Sequence, residues 1–190
     1  MPAPFLLDTN AYYLFFDPNR PAAYHRLATK VTTGGVKSFY IPEIASLEIH
    51  SVVGKYARGA QSQEQVCSRD IRKGDGVASC ANTWVSLGRK KMARKLVRNT
   101  QKMIEDIEAA RGLIQATVVR LDSTAIERGT RLLLKYSHRF RFSSHDALIA
   151  GIFLGARQTI ESQMVLVSSD KGLKAALAEE GISVYDPRIE

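Results

Sequence analysis

Short apolar runs that each stop at a cluster of helix-capping residues constrain this 190-residue chain more than any other feature. Phe5-Leu6-Leu7 gives way to Asp8-Thr9-Asn10, three residues that favour helix N-caps and turns. The β-branched run at 117–121 ends at Asp122-Ser123-Thr124, and Met164-Val165-Leu166-Val167-Ser168 runs into Ser169 and Asp170. Strand followed by cap followed by helix, repeated, predicts a mostly parallel sheet covered by helices on both faces. Strands are expected at 4–7, 38–41, 117–121, 164–168 and 182–185. Helices are expected at about 42–56, 125–136, 145–156 and 172–180, with Pro42 suited to a first helical position.

A chain of this length fits one domain, because two full cores need more residues. The segment at about 58–112 stands apart within it as an insertion. Its first part, 59–79, carries Gly59, Gly74, Gly76 and many polar residues and reads as a loop. Its second part, about 82–111, reads as a long helix with a stripe of Met92, Leu96, Met103 and Ile107. Seven basic residues and no acid lie between Arg89 and Lys102: Arg89, Lys90, Lys91, Arg94, Lys95, Arg98 and Lys102. That is close to the whole formal charge excess of +8. Such a run is either a solvated helix face or a contact for phosphates, whose binding weakens steeply with salt.

The remaining composition narrows the class. Cys67 and Cys80 have no close Cys or His neighbours of the kind a zinc site needs, so they are expected to be free thiols in a reducing compartment. The longest apolar or small run, 147–156, is about ten residues, against the roughly 20 that cross a bilayer. No basic region precedes an apolar core near the N-terminus, so no export signal is expected and the expected location is cytoplasmic.

Four acids occupy positions where a charge is costly or functional. Asp8 and Asp170 follow apolar strands, and in an open parallel sheet ligands sit outside the carboxyl ends of the strands. Asp146 lies in the first turn of a helix apolar all round, where the macrodipole favours negative charge. Each of these three is also an ordinary helix cap when taken alone. Glu48 is harder to assign to capping, because Ile44, Glu48 and Val52 follow one another at spacing four and put the carboxylate within or beside an apolar stripe. Its ordinary reading is a rim residue paired with His50 or a basic neighbour.

Together these pieces resemble the PIN-domain ribonucleases, most closely the toxin-like VapC group. The matching segments are Phe5-Leu6-Leu7-Asp8-Thr9-Asn10, the helix from Ile41 and Pro42 through Glu48 and Ile49, the start His145-Asp146-Ala147-Leu148, and Val167-Ser168-Ser169-Asp170-Lys171-Gly172. The resemblance covers about 4–57 and 113–187. It implies a PIN-like three-layer α/β/α sandwich with a sheet of four to five strands. It also implies an acidic quartet of Asp8, Glu48, Asp146 and Asp170, with Ser168 as a hydroxyl companion. Typical toxin members are shorter, so the insertion departs from the pattern. A member of that group is expected to form a homodimer and to be blocked by a small antitoxin protein.

Carboxylates drawn close together cannot all stay ionised without a compensating cation. The candidate ligands are all oxygens, which suits Mg²⁺ or Mn²⁺. The expected activity is metal-dependent hydrolysis of RNA, with Asp8 and Asp146 as direct ligands and Glu48 and Asp170 holding a second ion or metal-bound waters. Asn10 and Ser168 are read as groups that orient the carboxylates, or else as capping and turn residues. Lys135, His138, Arg139 and Arg141, interleaved with Tyr136, Phe140 and Phe142, suit a single-stranded nucleic acid, and Arg139 and Arg141 are the expected RNA contacts. Alternating Arg and Phe would also arise from core packing. A haloacid-dehalogenase-type phosphatase is disfavoured, because Asn10 stands where its second acid belongs. A PIN module that binds nucleic acid without cleaving it, or that processes RNA without an antitoxin, is the stronger rival, since basic charge alone supports it.

Overall fold

The computed structural model describes residues 4–17, 19–60, 63–74, 76–86, 88 and 91–189. Five strands run parallel in the spatial order β6 (Ile114–Val119), β3 (Val36–Pro42), β1 (Phe5–Leu7), β7 (Val165–Val167) and β8 (Val184–Tyr185). A two-residue strand, β2 (Thr32–Thr33), pairs antiparallel with the start of β3 and makes the sheet mixed. The central strand β1 is only three residues long, yet it pairs with both β3 and β7.

Alternation along the strands divides two cores. Phe5 and Leu7, Phe39 and Ile41, and Val165 and Val167 face one side, where α1 (Thr9–Tyr13), α2 (Ala22–Val31), α3 (Glu43–Arg58) and α4 (Arg94–Glu108) pack. Leu6, Tyr40 and Leu166 face the other side, against α5 (Ser123–Tyr136), α6 (Ser144–Thr159) and α7 (Lys171–Glu179). A strand flanked on both faces must be apolar at consecutive positions, which is why Phe5-Leu6-Leu7 shows no alternation. The architecture is three-layered, as the strand–cap–helix repeats imply.

The segment between α3 and α4 differs from its expected form. Residues expected as a loop and the head of a long helix instead form an antiparallel hairpin, β4 (Gln63–Lys73) with β5 (Gly76–Ser86). Gly74 has φ +55, a left-handed turn conformation that glycine adopts at no steric cost. The register places Cys67 opposite Asn82 and Cys80 opposite Arg69, so the cysteines are not cross-strand partners. The helix starts later, at Arg94, and its phase is shifted. Val97, Ile104 and Ile107 face the first core, whereas Leu96 and Met103 are 53% and 36% exposed. At 3.6 residues per turn, Val97 and Ile104 lie about 20° apart and Ile107 about 60° further round, so the buried arc is centred near Ile104 and Leu96 and Met103 fall at its edge, just beyond Ile107. The helix α2, with its buried Ala23, Leu27 and Val31, was not expected from the sequence.

Helices α5 and α6 cross at glycine. A Cβ on Gly151 would lie 2.1 Å from the Ala125 carbonyl oxygen, and one on Gly129 would lie 2.5 Å from that of Ala147. Both obstacles are backbone, which cannot swing aside. Gly151→Ala is expected to cost about 2 kcal/mol or more despite alanine's better helix propensity, through forced separation of the helices. Urea unfolding checks this; a neutral or stabilising change would show that α5 and α6 are not this close.

Candidate metal and nuclease site

Asp8 and Asp170 follow the carboxyl ends of β1 and β7, and Asp146 lies near enough for its charge to act on Asp8. Asp8 follows β1 directly and is 3% exposed. Its Oδ1 accepts from the Ala11 N–H at 2.7 Å, so it is the N-cap of α1, and its Oδ2 accepts from Ser168 Oγ at 2.5 Å. The same Ser168 oxygen accepts from the Asp170 N–H at 3.0 Å. Ser168 thus joins the Asp8 carboxylate to the Asp170 backbone through one hydroxyl.

Asp170 caps α7, with Oδ1 accepting from the Leu173 N–H at 2.8 Å. Asp146 is the third residue of α6 and forms a reciprocal capping box with Ser143. Its Oδ2 accepts from the Ser143 N–H at 2.8 Å and from Ser143 Oγ at 2.7 Å. Each acid is therefore rigidly held and keeps oxygen lone pairs beyond those its cap consumes.

Burial pushes the Asp8 carboxyl up to about 6 from its ordinary 3.8. The hydrogen bonds from Ser168 and Ala11 pull the other way, while the negative charges of Asp170 and Asp146 add to the rise. Asp8, Asp146 and Asp170 thus share one electrostatic neighbourhood, although they are far apart in sequence.

Glu48 joins from the side. It is half-buried on α3, beside the buried face of Ala45, Ile49 and Val53. Its Oε2 lies 3.0 Å from His145 Nε2, within ion-pair distance but off the line a hydrogen bond needs, and Nε2 has no hydrogen-bond partner among the described residues. Since His145 precedes Asp146, this contact brings Glu48 to the start of α6. Among the described residues, no three His, Cys, Asp or Glu side chains form a group poised to hold a metal ion in this conformation. Asp8 is linked to the Asp170 backbone through Ser168, while Asp146 is bonded to Ser143.

Asn10 is exposed in the first turn of α1 and makes no hydrogen bond to any of the acids. Of the expected RNA contacts, Arg139 pairs with Glu179 of α7 at 2.9 Å and stacks over Phe140. Lys135 likewise pairs with Glu180 at 2.8 Å. Arg141 is exposed and has no carboxylate partner among the described residues. Its backbone sits at the site, for a Cβ on Gly172 would lie 1.9 Å from the Arg141 carbonyl oxygen. Phe142 is buried and Phe140 packs against the second core, so the Arg–Phe alternation reflects packing. Lys91 and Arg94 flank the start of α4, while Arg89 and Lys90 lie outside the described residues.

Sequence reasoning missed Asp186, which is 5% exposed just after β8. It accepts from Lys174 Nζ, from Ser169 Oγ at 2.7 Å and from the Arg188 N–H at 3.0 Å. Burial alone would push its carboxyl up, but these donors outweigh it and hold Asp186 below the ordinary value. The network fixes Ser169, the residue between Ser168 and Asp170. An acid directly after an apolar strand was the available signal, the same one that marks Asp8. Glu43 at the end of β3 was also overlooked. It accepts from the Leu121 N–H at 3.0 Å and pairs with Arg120, closing the edge between β3 and β6 away from the cluster.

No family model matches the chain, and no curated protein matches it. No helix among the described residues is long and apolar enough to cross a membrane.

The raised Asp8 value has a defined pH signature. The folded state holds this proton more tightly than the unfolded chain, so the group's contribution is complete below about pH 3.8 and is lost as pH rises through about 6. In EDTA, Asp8→Asn is expected to be more stable than wild type at pH 7–8 by roughly 2–3 kcal/mol, with the gain vanishing near pH 4. Urea unfolding at the two pH values checks it. A difference that does not change with pH would mean that Asp8 carries no buried charge.

Proposed function

We propose that the protein is a metal-dependent endoribonuclease of the PIN-domain kind, nearest the VapC-like toxins, which hydrolyses phosphodiester bonds in RNA. The observation that carries this reading is the electrostatic convergence of Asp8, Asp146 and Asp170 around one buried carboxylate. The donor set fits Mg²⁺ or Mn²⁺, because every candidate ligand is an oxygen and Asp8 is buried with no cationic partner among the described residues.

Asp8 and Asp146 would hold the ion, with Glu48 and Asp170 holding a second ion or its waters. Bound there, the metal supplies Lewis-acid stabilisation of phosphate charge and a water of lowered pKa. The chain's own residues do the rest. Ser168 keeps Asp8 in its rotamer and holds the backbone of Asp170. Ser143 fixes the Asp146 oxygens, and His145 draws Glu48 toward α6. Arg141, whose backbone carbonyl sits against Gly172 and whose exposed side chain has no carboxylate partner among the described residues, is the cation this reading assigns to a substrate phosphate. Arg139 would first have to leave Glu179. A homodimer, a small antitoxin and a cytoplasmic location belong to the same reading.

One observation favours a non-catalytic nucleic-acid-binding module instead: Asp8, Asp146 and Asp170 all serve as helix caps. Separate substitutions to Asn decide, because Asn also caps. Asp8→Asn and Asp146→Asn are each expected to lower Mg²⁺- or Mn²⁺-dependent RNA cleavage by roughly 100-fold or more, with the circular dichroism spectrum unchanged. Cleavage that survives both changes would sink the nuclease reading.

A further inference from the structure

We infer that the cavity between the last turn of α3 and the first turn of α4 is a phosphate-binding subsite for single-stranded RNA, with Lys91, Arg94 and Arg98 as its cations. The cavity is about 460 Å³ and is lined by Ala57, Lys91, Met92, Arg94, Val97 and Arg98. Its floor is apolar and fixed, since Val97 packs on the first core. Its rim is held to α3 by the Met92 N–H, which donates to the Tyr56 carbonyl at 3.0 Å.

The charges around it are uncompensated. Arg111, Arg120, Lys135, Arg139 and Lys174 each pair with a carboxylate. Lys91, Arg94 and Arg98 pair with none among the described residues, and neither do Lys95 and Lys102 further along α4. The first acid after Lys91 is Glu105. Helix α4 also begins without a side-chain cap or an acid in its first turn, which adds backbone N–H groups to the same positive end. Arg94 and Arg98 are one turn apart, with Cβ atoms about 5–6 Å from each other, so two phosphates of one strand can be met together. An acidic protein segment would find the same charge. The observations favour nucleic acid because the cations line a defined cavity on the insertion that returns to the α3 helix carrying Glu48.

Ala57 lies nine residues beyond Glu48, which is about 13–14 Å along the helix axis. At roughly 3.4 Å of rise per nucleotide, about four nucleotides of a stacked strand span that distance. This part of the inference rests on the nuclease reading. It predicts a substrate that is a strand rather than a dinucleotide.

The test is fluorescence anisotropy of a labelled 16-nucleotide oligouridylate on full-length Asp8→Asn protein in EDTA, across a salt series. Lys91→Glu/Arg94→Glu/Arg98→Glu is expected to weaken binding about tenfold or more and to flatten the log–log salt slope by about 2, as loss of three single-strand phosphate contacts requires. Lys30→Glu/Arg128→Glu/Arg131→Glu carries the same charge change elsewhere and should lose much less. Should the Glu triple fail to fold, the corresponding Gln triple decides by the same drop in slope. An unchanged slope, an equal loss in the control triple, or loss of polyglutamate binding with RNA binding intact would each overturn the subsite. Binding here is read without cleavage. A protein that binds by these residues but never cleaves would therefore sink the nuclease reading alone, and one that cleaves with an unchanged slope in the triple would sink the subsite alone.

Discussion

The hydrogen bond between Ser168 and Asp8 is the contact on which the arrangement at the sheet's carboxyl edge depends. Strand β1 is three residues long and closed on both sides by β3 and β7, so Asp8 cannot swing out to water without breaking the ladder. Its backbone N–H continues that ladder to the Val167 carbonyl at 3.0 Å. The carboxylate is thus buried by the backbone's own pairing, and among the described residues the Ser168 hydroxyl and the Ala11 N–H offset the cost. The same hydroxyl receives the Asp170 N–H and so sets where the next acid stands. Removing it would leave Asp8 Oδ2 and the Asp170 N–H without the partner they share, with only the Ala11 N–H on Asp8 and the Leu173 N–H on the Asp170 side chain remaining.

Capping and metal binding are often weighed as rivals for residues of this kind. In this fold one produces the other. A parallel sheet with helical crossovers delivers the N-termini of successive helices to one edge. Each N-terminus wants an acceptor, and Asp is among the residues that serve. Helices α1 and α7 follow β1 and β7 in the chain and are N-capped by Asp8 and Asp170, while α6 is N-capped by Ser143 with Asp146 closing its capping box. The positive ends of α6 and α7 also temper the repulsion between carboxylates placed so close. A cap consumes one or two of roughly four lone-pair positions on a carboxylate, so the remainder faces the shared space.

What was legible in the sequence follows from how local each signal is. Phe5-Leu6-Leu7-Asp8 and Val165-Leu166-Val167 announce strands buried on both faces, and their caps mark the edge. Glu48 was legible because an acid beside an apolar stripe has few explanations. The insertion was not. Strand β4 is rich in polar residues and β5 mixes small, polar and apolar ones without strict alternation, so neither showed a strand period, and glycines at 74 and 76 read equally well as a loop or a turn. Which arc of α4 is buried depended on the side that meets the first core, a tertiary contact that the apolar stripe alone does not single out. Arg139 could not be separated from Arg141 by sequence, because its partner Glu179 lies forty residues away.

The insertion is tied to the acids at its far end as well. Glu108, the last residue of α4, accepts from Tyr12 of α1 at 3.3 Å and from Ser46 of α3 at 2.9 Å. Tyr12 lies four residues after Asp8 in the helix that Asp8 caps, and Ser46 lies two residues before Glu48. Burial and the Glu108 carboxylate both raise the Tyr12 phenol, so the hydroxyl stays protonated and keeps donating. One carboxylate thus sets the spacing between the helix that begins at Asp8 and the helix that carries Glu48. Because α4 is held by Glu108 at this end and leads from the Met92–Tyr56 contact at the other, any force on its cationic turn acts on the same helices that position the acids.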